Sequence, residues 1–339
     1  MKENNTLKYI AKEMGISVST VSRALNGKSV VKEETRKKVL EMAKKIGYVP
    51  NEVARSLKKS STETVAVVLP DISENFFAKI VKGLEAIMTK YGYMIIIADS
   101  HEKAEKEKKY VDMLYRRRVD ALVLATVDCS GETATPFLSS ETPVVFIDNI
   151  PLLDNIDVIT VDNVEASRIA TEHLISAGHK CIATIIGSKT ETTGIERLEG
   201  YKEALLGHGL KYNEKLVAYG DYKMDSGYEA MKQLLEKKDE VDFSAVYVTS
   251  EKMTYGALKA IREKGLSVPD DISVIGFDIH NFNDDRQQII TTVSQPEENI
   301  GKQVGELLIR RIKEDGDPPK IRLLLEPSFI EGDTVKIVK

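Results

Sequence analysis

From Val65 onward the chain alternates short apolar runs with amphipathic stretches, and that alternation leaves few folds open. VAVVLP (65–70), YMIIIA (93–98), ALVLA (121–125) and VVFI (144–147) read as buried strands, and FAKIVKGLEAIMTKYG (77–92) reads as a helix. The pattern restarts at CIATII (181–186), with helices expected near 197–207, 225–236 and 252–264. Apolar strands separated by helices make parallel sheets covered by helices, so the body is expected to be α/β. A faint internal repeat supports two lobes. VAVVL (65–69) and IATII (182–186) are each followed by a loop, a helix and a glycine, Gly92 and Gly209, 117 residues apart. In such lobes a ligand sits beyond the carboxyl ends of the strands.

The first sixty residues differ in kind. They carry 14 Lys and Arg against 6 Asp and Glu, a net of +8, whereas the rest of the 339-residue chain carries 34 against 47, a net of −13. A basic head on an acidic body suggests that only the head meets a polyanion. Leu7, Ile10, Ala11 and Met14 form one apolar helix face, which Gly15 ends. Ser17 can cap a second short helix whose inner residues are Val18, Val21 and Leu25. Two helices crossing steeply need a small residue at the contact, a glycine to turn and a compact apolar residue on the second helix. Ala11, Gly15 and Val21 supply them, which reads as a helix-turn-helix. Asn26-Gly27 marks the next turn. A third helix follows, with Val39, Met42, Ala43 and Ile46 inward, Gly47 at its end, and Glu33 and Glu34 at its positive end. A plain three-helix bundle would share this spacing.

IAKEMGISVSTVSRALNGK (10–28), ETRKKVLEMAKKIGYVPN (34–51) and NEVARSL (51–57) carry a resemblance to the lac repressor/galactose repressor family. It continues through PDISENFF (70–77), ERLEGY (196–201), GDYKMDSGYEAM (220–231), VPDDISVIGFD (268–278) and TTVSQP (291–296), nearly the whole chain. The resemblance implies an all-α helix-turn-helix head at 1–49 and a hinge helix and linker at 50–62. It implies an α/β, two-lobed, periplasmic-binding-protein-like body with parallel sheets at 63–339. One lobe is expected from 63–161 with 295–325, the other from 162–290 with 326–339.

For the head, the resemblance makes Val18, Ser19 and Arg23 the main base readers. A guanidinium can fork onto the O6 and N7 of guanine, whereas valine offers only apolar contact and serine discriminates weakly. Ser17, Thr20, Ser22 and Asn26 suit phosphates, or act instead as caps and turn residues. Asn51 can cap a short helix through Leu57. The resemblance implies that two such helices from a homodimer enter the minor groove, with Leu57 wedged into a base step and Ala54 beside it. The family often has serine where Lys32 stands, and lysine cannot cap the third helix there.

For the body, the resemblance implies closure of the lobes around an effector, and several residues fall in the right loops. Tyr222 can stack on a sugar face. Arg197, taken to open the helix in ERLEGY, can grip hydroxyls or a carboxylate, or pair at the surface with Glu196 or Glu199. Asp148 and Asp278 end strands, the latter with no local cation. Asp71, Phe76 and Phe77 follow the first strand, with one phenylalanine expected in the core. Ser250-Glu251 replaces the Asn-Asp of many relatives, and the polar loop His280–Asp285 is a second departure. Carboxylates, an arginine and aromatic faces suit a sugar or polyol.

The sequence contains no GxSxG, P-loop, GxGxxG or HExxH motif, which argues against an enzyme, so no catalytic residue is expected. Cys129 and Cys181 form no ligand cluster with the five histidines, so neither metal nor cofactor is expected. No apolar run approaches the ~18 residues of a membrane span, and MKENNTLKYIAKEMG is not a secretory signal. A cytoplasmic regulator is expected, with double-stranded operator DNA, a sugar-like effector and a second copy of itself as partners. Without a leucine heptad after the last strand, a coiled-coil tetramer is not expected.

If the head carries the DNA affinity, counterion release makes operator binding fall steeply with salt. Titrating a labelled operator at several salt concentrations is expected to show that slope for the full chain and no binding for residues 61–339 alone. Operator binding by the truncated protein would overturn this division of labour.

Overall fold

A computed structural model describes residues 6–26, 31–48, 61–238, 240–280, 289–314, 316 and 318–338. The chain forms two compact units, divided between Thr62 and Glu63.

In the first unit, helices α1 (Leu7–Met14), α2 (Val18–Leu25) and α3 (Glu33–Ile46) enclose Ile10, Ala11, Val21, Ala24, Val39 and Ala43. Gly15 and Gly47 end α1 and α3 at φ 63° and 65°, a left-handed conformation that glycine adopts without a Cβ clash. Ser17 caps α2, its side chain accepting from the Thr20 backbone N–H at 3.1 Å. Lys32 makes no side-chain cap at α3; Glu33 and Glu34 in its first turn complement the helix dipole instead. Val18 is not an inner residue: it is 42% exposed, and Ala24 occupies the buried position. The difference is geometric, because the first residue of a helix lies before the turn that packs. Asn51, Ala54 and Leu57 lie outside the described residues.

The second unit is the α/β body. Its elements run β1 (Thr64–Leu69), α4 (Asn75–Met88), β2 (Met94–Asp99), α5 (Ala104–Arg116), β3 (Ala121–Leu124), the short α6 (Thr135–Leu138), β4 (Val144–Ile147) and β5 (Asp157–Val161). They continue α7 (Asn163–Ser176), β6 (Ile182–Ile186), α8 (Thr192–Gly207), β7 (Val217–Tyr219), α9 (Met224–Glu236), β8 (Ala245–Val248), α10 (Glu251–Glu263) and β9 (Ser273–Phe277). Then follow β10 (Thr291–Ser294), α11 (Glu297–Lys313), β11 (Arg322–Leu325) and β12 (Ser328–Ile330).

Two six-stranded sheets result, in the orders β11-β5-β4-β3-β1-β2 and β12-β10-β9-β8-β6-β7. The first is wholly parallel; the second is parallel except for its antiparallel edge strand β12. β1 and β6 hold the same rank in their sheets, and Gly92 and Gly209 both turn at positive φ. The chain changes sheets three times, after β5, after β10 and after β11, and β10 (291–294) belongs to the second lobe.

Close helix contacts fix each lobe. In the first, a Cβ on Gly83 of α4 would run into the Glu298 carbonyl of α11, and one on Gly301 into the Ile80 carbonyl. Backbones this near leave no room for a methyl group, and interiors at this density resist added volume. Gly301→Ala is therefore expected to lower stability by about 1–3 kcal/mol, whereas the exposed neighbour change Lys302→Ala should stay within about 0.5 kcal/mol. Urea denaturation of both variants checks the contrast.

Candidate functional site

The carboxyl ends of both sheets face a cavity of about 560 Å³ between the lobes. Eight of the nine body residues singled out by sequence line it: Asp71, Phe76, Phe77, Asp148, Tyr222, Ser250, Glu251 and Asp278. The ninth, Arg197, is not on the wall.

The strand ends aim the polar groups. Asp148 follows β4, Asp278 follows β9 and Tyr222 lies in the loop after β7, and all three are left-handed, at φ 61°, 56° and 65°. For a residue with a Cβ this conformation costs on the order of 1–2 kcal/mol, which the surrounding contacts must hold in place. Asp278 is held by Gln295, whose backbone N–H and side-chain amide each donate to its carboxylate at 2.7 Å. Burial nevertheless raises its pKa to about 6. Asp148 is raised further, to about 7, by burial, against the attraction of Arg197 and with the repulsion of Glu191. The Tyr222 hydroxyl shares a 2.9 Å hydrogen bond with Thr193, and burial pushes its pKa up to about 12. Its ring fills the space that a Cβ on Gly187 would take.

Phe76 and Phe77 are both core and both wall. They are 9% and 3% exposed, sit edge to face at 5.0 Å, and join the first lobe's apolar core. At the first turn of α4, their side chains reach back over the end of β1, so core and cavity are opposite sides of one layer.

Arg197 departs most from expectation. α8 begins at Thr192, so Arg197 lies in its second turn and is only 4% exposed. Its Nε donates to Asn163 Oδ1 at 2.9 Å and its Nη1 to the Thr249 carbonyl at 2.8 Å. The guanidinium lies 3.9 Å from the centre of the Phe277 ring, itself part of the wall. No surface ion pair forms with Glu196 or Glu199; Glu196 accepts from Asn163 and faces Arg322. Arg197 thus acts on Asp148 and Asp278 as a charge behind the wall.

Sequence reasoning passed over Gln295, Asn149 and Lys252. Asn149 joins the lobes, accepting from the Thr192 backbone and hydroxyl at 2.9 and 2.8 Å. Asn149 immediately follows Asp148, and Gln295 stands within TTVSQP, so proximity to strand ends was the available signal. Ser250 caps α10 through the Met253 N–H, and Glu251 accepts from the His280 ring at 3.2 Å. The polar loop beyond His280, from 281 to 288, lies outside the described residues. Among those described, no group of three or more His, Cys, Asp or Glu is arranged to hold a metal ion, and no helix is long and apolar enough to cross a membrane.

In the head, the sequence-selected residues Ser17, Val18, Ser19, Arg23 and Asn26 are exposed, and Thr20 and Ser22 half-buried. Ser17 Oγ lies 2.7 and 2.8 Å from the Ser19 and Thr20 hydroxyls, a local cap network that α2 presents at its start.

Residues 6–51 match the model for bacterial regulatory proteins of the lacI family, and residues 62–327 that for periplasmic binding proteins and the sugar-binding domain of the LacI family. Catabolite control protein A of Priestia megaterium is 35% identical, over 92% of this chain and 94% of its own. The HTH-type transcriptional regulator CelR of Thermobifida fusca is also 35% identical, over 95% of each. Among solved structures, a CelR–cellobiose complex superposes with a TM-score of 0.75 at 32% identity, covering 97% of this chain and 99% of that one. A lac repressor dimer bound to operator and the anti-inducer ONPF gives 0.85 at 25% identity, covering 98% and 99%.

The raised groups give the cavity a pH signature. A group whose folded pKa exceeds its unfolded value adds stability below the unfolded value and loses it as pH rises through the folded one. Asp148 therefore contributes fully below pH 3.8 and loses its contribution as pH climbs towards about 7. His280, raised from 6.5 to about 9 by its bonds to Glu251 and Glu297, loses its share between those values. Denaturant midpoints from pH 4 to 10 should show that Asp148→Asn shrinks the lower part of the decline, leaving the share of Asp278, and that His280→Gln shrinks the upper. Parallel profiles for wild type and variants would contradict this.

Proposed function

The chain belongs to the lacI family of bacterial regulatory proteins, and on that premise we propose that it represses transcription by binding an operator and is controlled by a sugar held between its lobes. On this reading a homodimer reads a near-palindromic site through residues 1–49, with Arg23 on guanine, Val18 and Ser19 on neighbouring bases, and Ser17, Thr20, Ser22 and Asn26 near phosphates. Residues 50–62 join head to body, with Asn51, Ala54 and Leu57 as the minor-groove segment. The protein acts in the cytoplasm, by binding rather than catalysis.

The observation that carries the reading is the cavity: carboxylates and a phenol at the strand ends of two lobes, walled by Phe76, Phe77 and Phe277. Such a wall offers acceptors to hydroxyls and flat faces to a sugar ring. The CelR relative complexed with cellobiose and the lac repressor relative bound to operator support it. Because the ligand touches both lobes, its differing affinity for their arrangements is what can shift operator binding.

A thermal-shift screen of sugars, sugar acids and sugar phosphates, followed by anisotropy on a labelled operator, identifies the effector. Asp278→Ala is then expected to keep operator binding while effector affinity, measured calorimetrically, falls about ten- to a hundredfold, or about 1.5–3 kcal/mol, and Arg197→Ala, which removes a charge from behind the wall, to weaken that affinity less. Arg197→Ala should also melt earlier, since it leaves Asn163 and the Thr249 carbonyl without their buried donor. Wild-type effector affinity in both variants would place the ligand elsewhere.

A further inference from the structure

Around the mouth of the cavity the two lobes are joined by ion pairs of one polarity. Lys252, at the start of α10 in the second lobe, reaches Asp71 at 3.0 Å and Glu74 at 3.2 Å in the first. Lys223, just before α9 in the second lobe, pairs with Glu102 in the loop after β2 of the first. His280, after β9 in the second lobe, approaches Glu297 at the start of α11 at 3.3 Å, and Lys79 of α4 shares that carboxylate. In each case the second lobe supplies the cation and the first the carboxylate. A further pair, Arg322–Glu196, has the opposite polarity but does not line the cavity.

Inside the mouth the charges oppose this order. Asp148 belongs to the first lobe and Glu191, at the cap of α8, to the second, and they repel. Asp71 lies among the candidate effector contacts, yet both its carboxylate oxygens are engaged, one by Lys252 and one by the Ser73 N–H.

We infer that Lys252, Lys223 and His280 are positioning residues: their ion pairs hold the lobes closed across the cavity mouth, and closure is thereby tuned by ionic strength. This rests on the reading that the effector binds between the lobes. The physics sets the sign. The pairs are partly solvent-exposed, so salt screens them, the Debye length falling from about 10 Å at 0.1 M to about 3 Å at 1 M. Screening the mouth weakens closure and leaves the interior repulsion, which salt reaches less, to favour opening. Effector affinity should then decline with salt even for an uncharged sugar, because the ligand meets a less populated closed arrangement.

Hydrogen exchange of the effector-free full-length protein tests this without knowing the effector. Lys223→Glu and Glu102→Lys are compared with wild type and with the double variant carrying both changes. The readout is the backbone of 71–77 and 249–253, segments that contain neither substituted residue. Each single reversal is expected to reduce protection there about fivefold, and the double variant to restore it. Raising salt should lower wild-type protection in the same segments. Unchanged protection in the single variants overturns the inference, and so does a loss that the double variant does not restore, which would mark local damage. A sugar screen that leaves the protein unmoved would count against the sugar reading alone, since this measurement needs no ligand.

Discussion

A parallel strand cannot return to its neighbour by a tight turn; the chain must cross over, and a helix is the compact way to do it. Everything about this body follows from that constraint. Because the strands of each lobe run the same way, apart from the edge strand β12, their carboxyl ends gather at one edge. The loops leaving them converge, and two such edges facing each other make a cavity without any loop having to be long. The helices that carry the crossovers cover the inner strands, so β1, β3, β4, β6 and β8 are buried along their length and mostly apolar. The polar wall of the cavity is concentrated where regular structure stops.

The residues at those ends are held in conformations they would not choose. Asp148, Tyr222 and Asp278 all take positive φ without being glycine. A left-handed residue turns the chain abruptly, which lets the strand's last side chain look into the cavity rather than along the sheet. The neighbours secure the arrangement: Gln295 grips Asp278, Gly187 makes room for the Tyr222 ring, and Thr193 meets its hydroxyl. Strain and burial act together on the carboxylates. Burial raises both Asp148 and Asp278, while Arg197 draws each of them down.

Much of this was legible in the sequence because it depends on local pattern. Apolar runs mark the strands, and polar or aromatic residues just beyond them, taken together with the family resemblance, point to eight wall residues. What local pattern could not give were relations between distant segments. Arg197 looked like a surface residue beside Glu196 and Glu199, but its helix begins earlier and turns it inward under Phe277. Phe76 and Phe77 seemed to require a choice between core and wall, yet a layer one side chain thick serves as both. Val18 was drawn to the core by its composition and kept out by its position at the first turn of α2. Lys252 carries no signal of its own, since only the packing of one lobe against the other brings it to Asp71, and the partner of Gln295 emerges only when β10 pairs beside β9.

The three passages between sheets also bear on the order in which the molecule can be completed during synthesis. α11 packs on α4 in the first lobe, and β10 lies beside β9 in the second, yet both come after residue 290. The edge strands β11 and β12 come later still, at 322–325 and 328–330. A growing chain therefore displays an uncovered face of the first lobe and an unpaired edge of the second while most of it has already been made. Neither lobe can close its core before the other is nearly finished, so the two mature together, and the half-built chain spends its longest interval with apolar surface in need of protection from its neighbours.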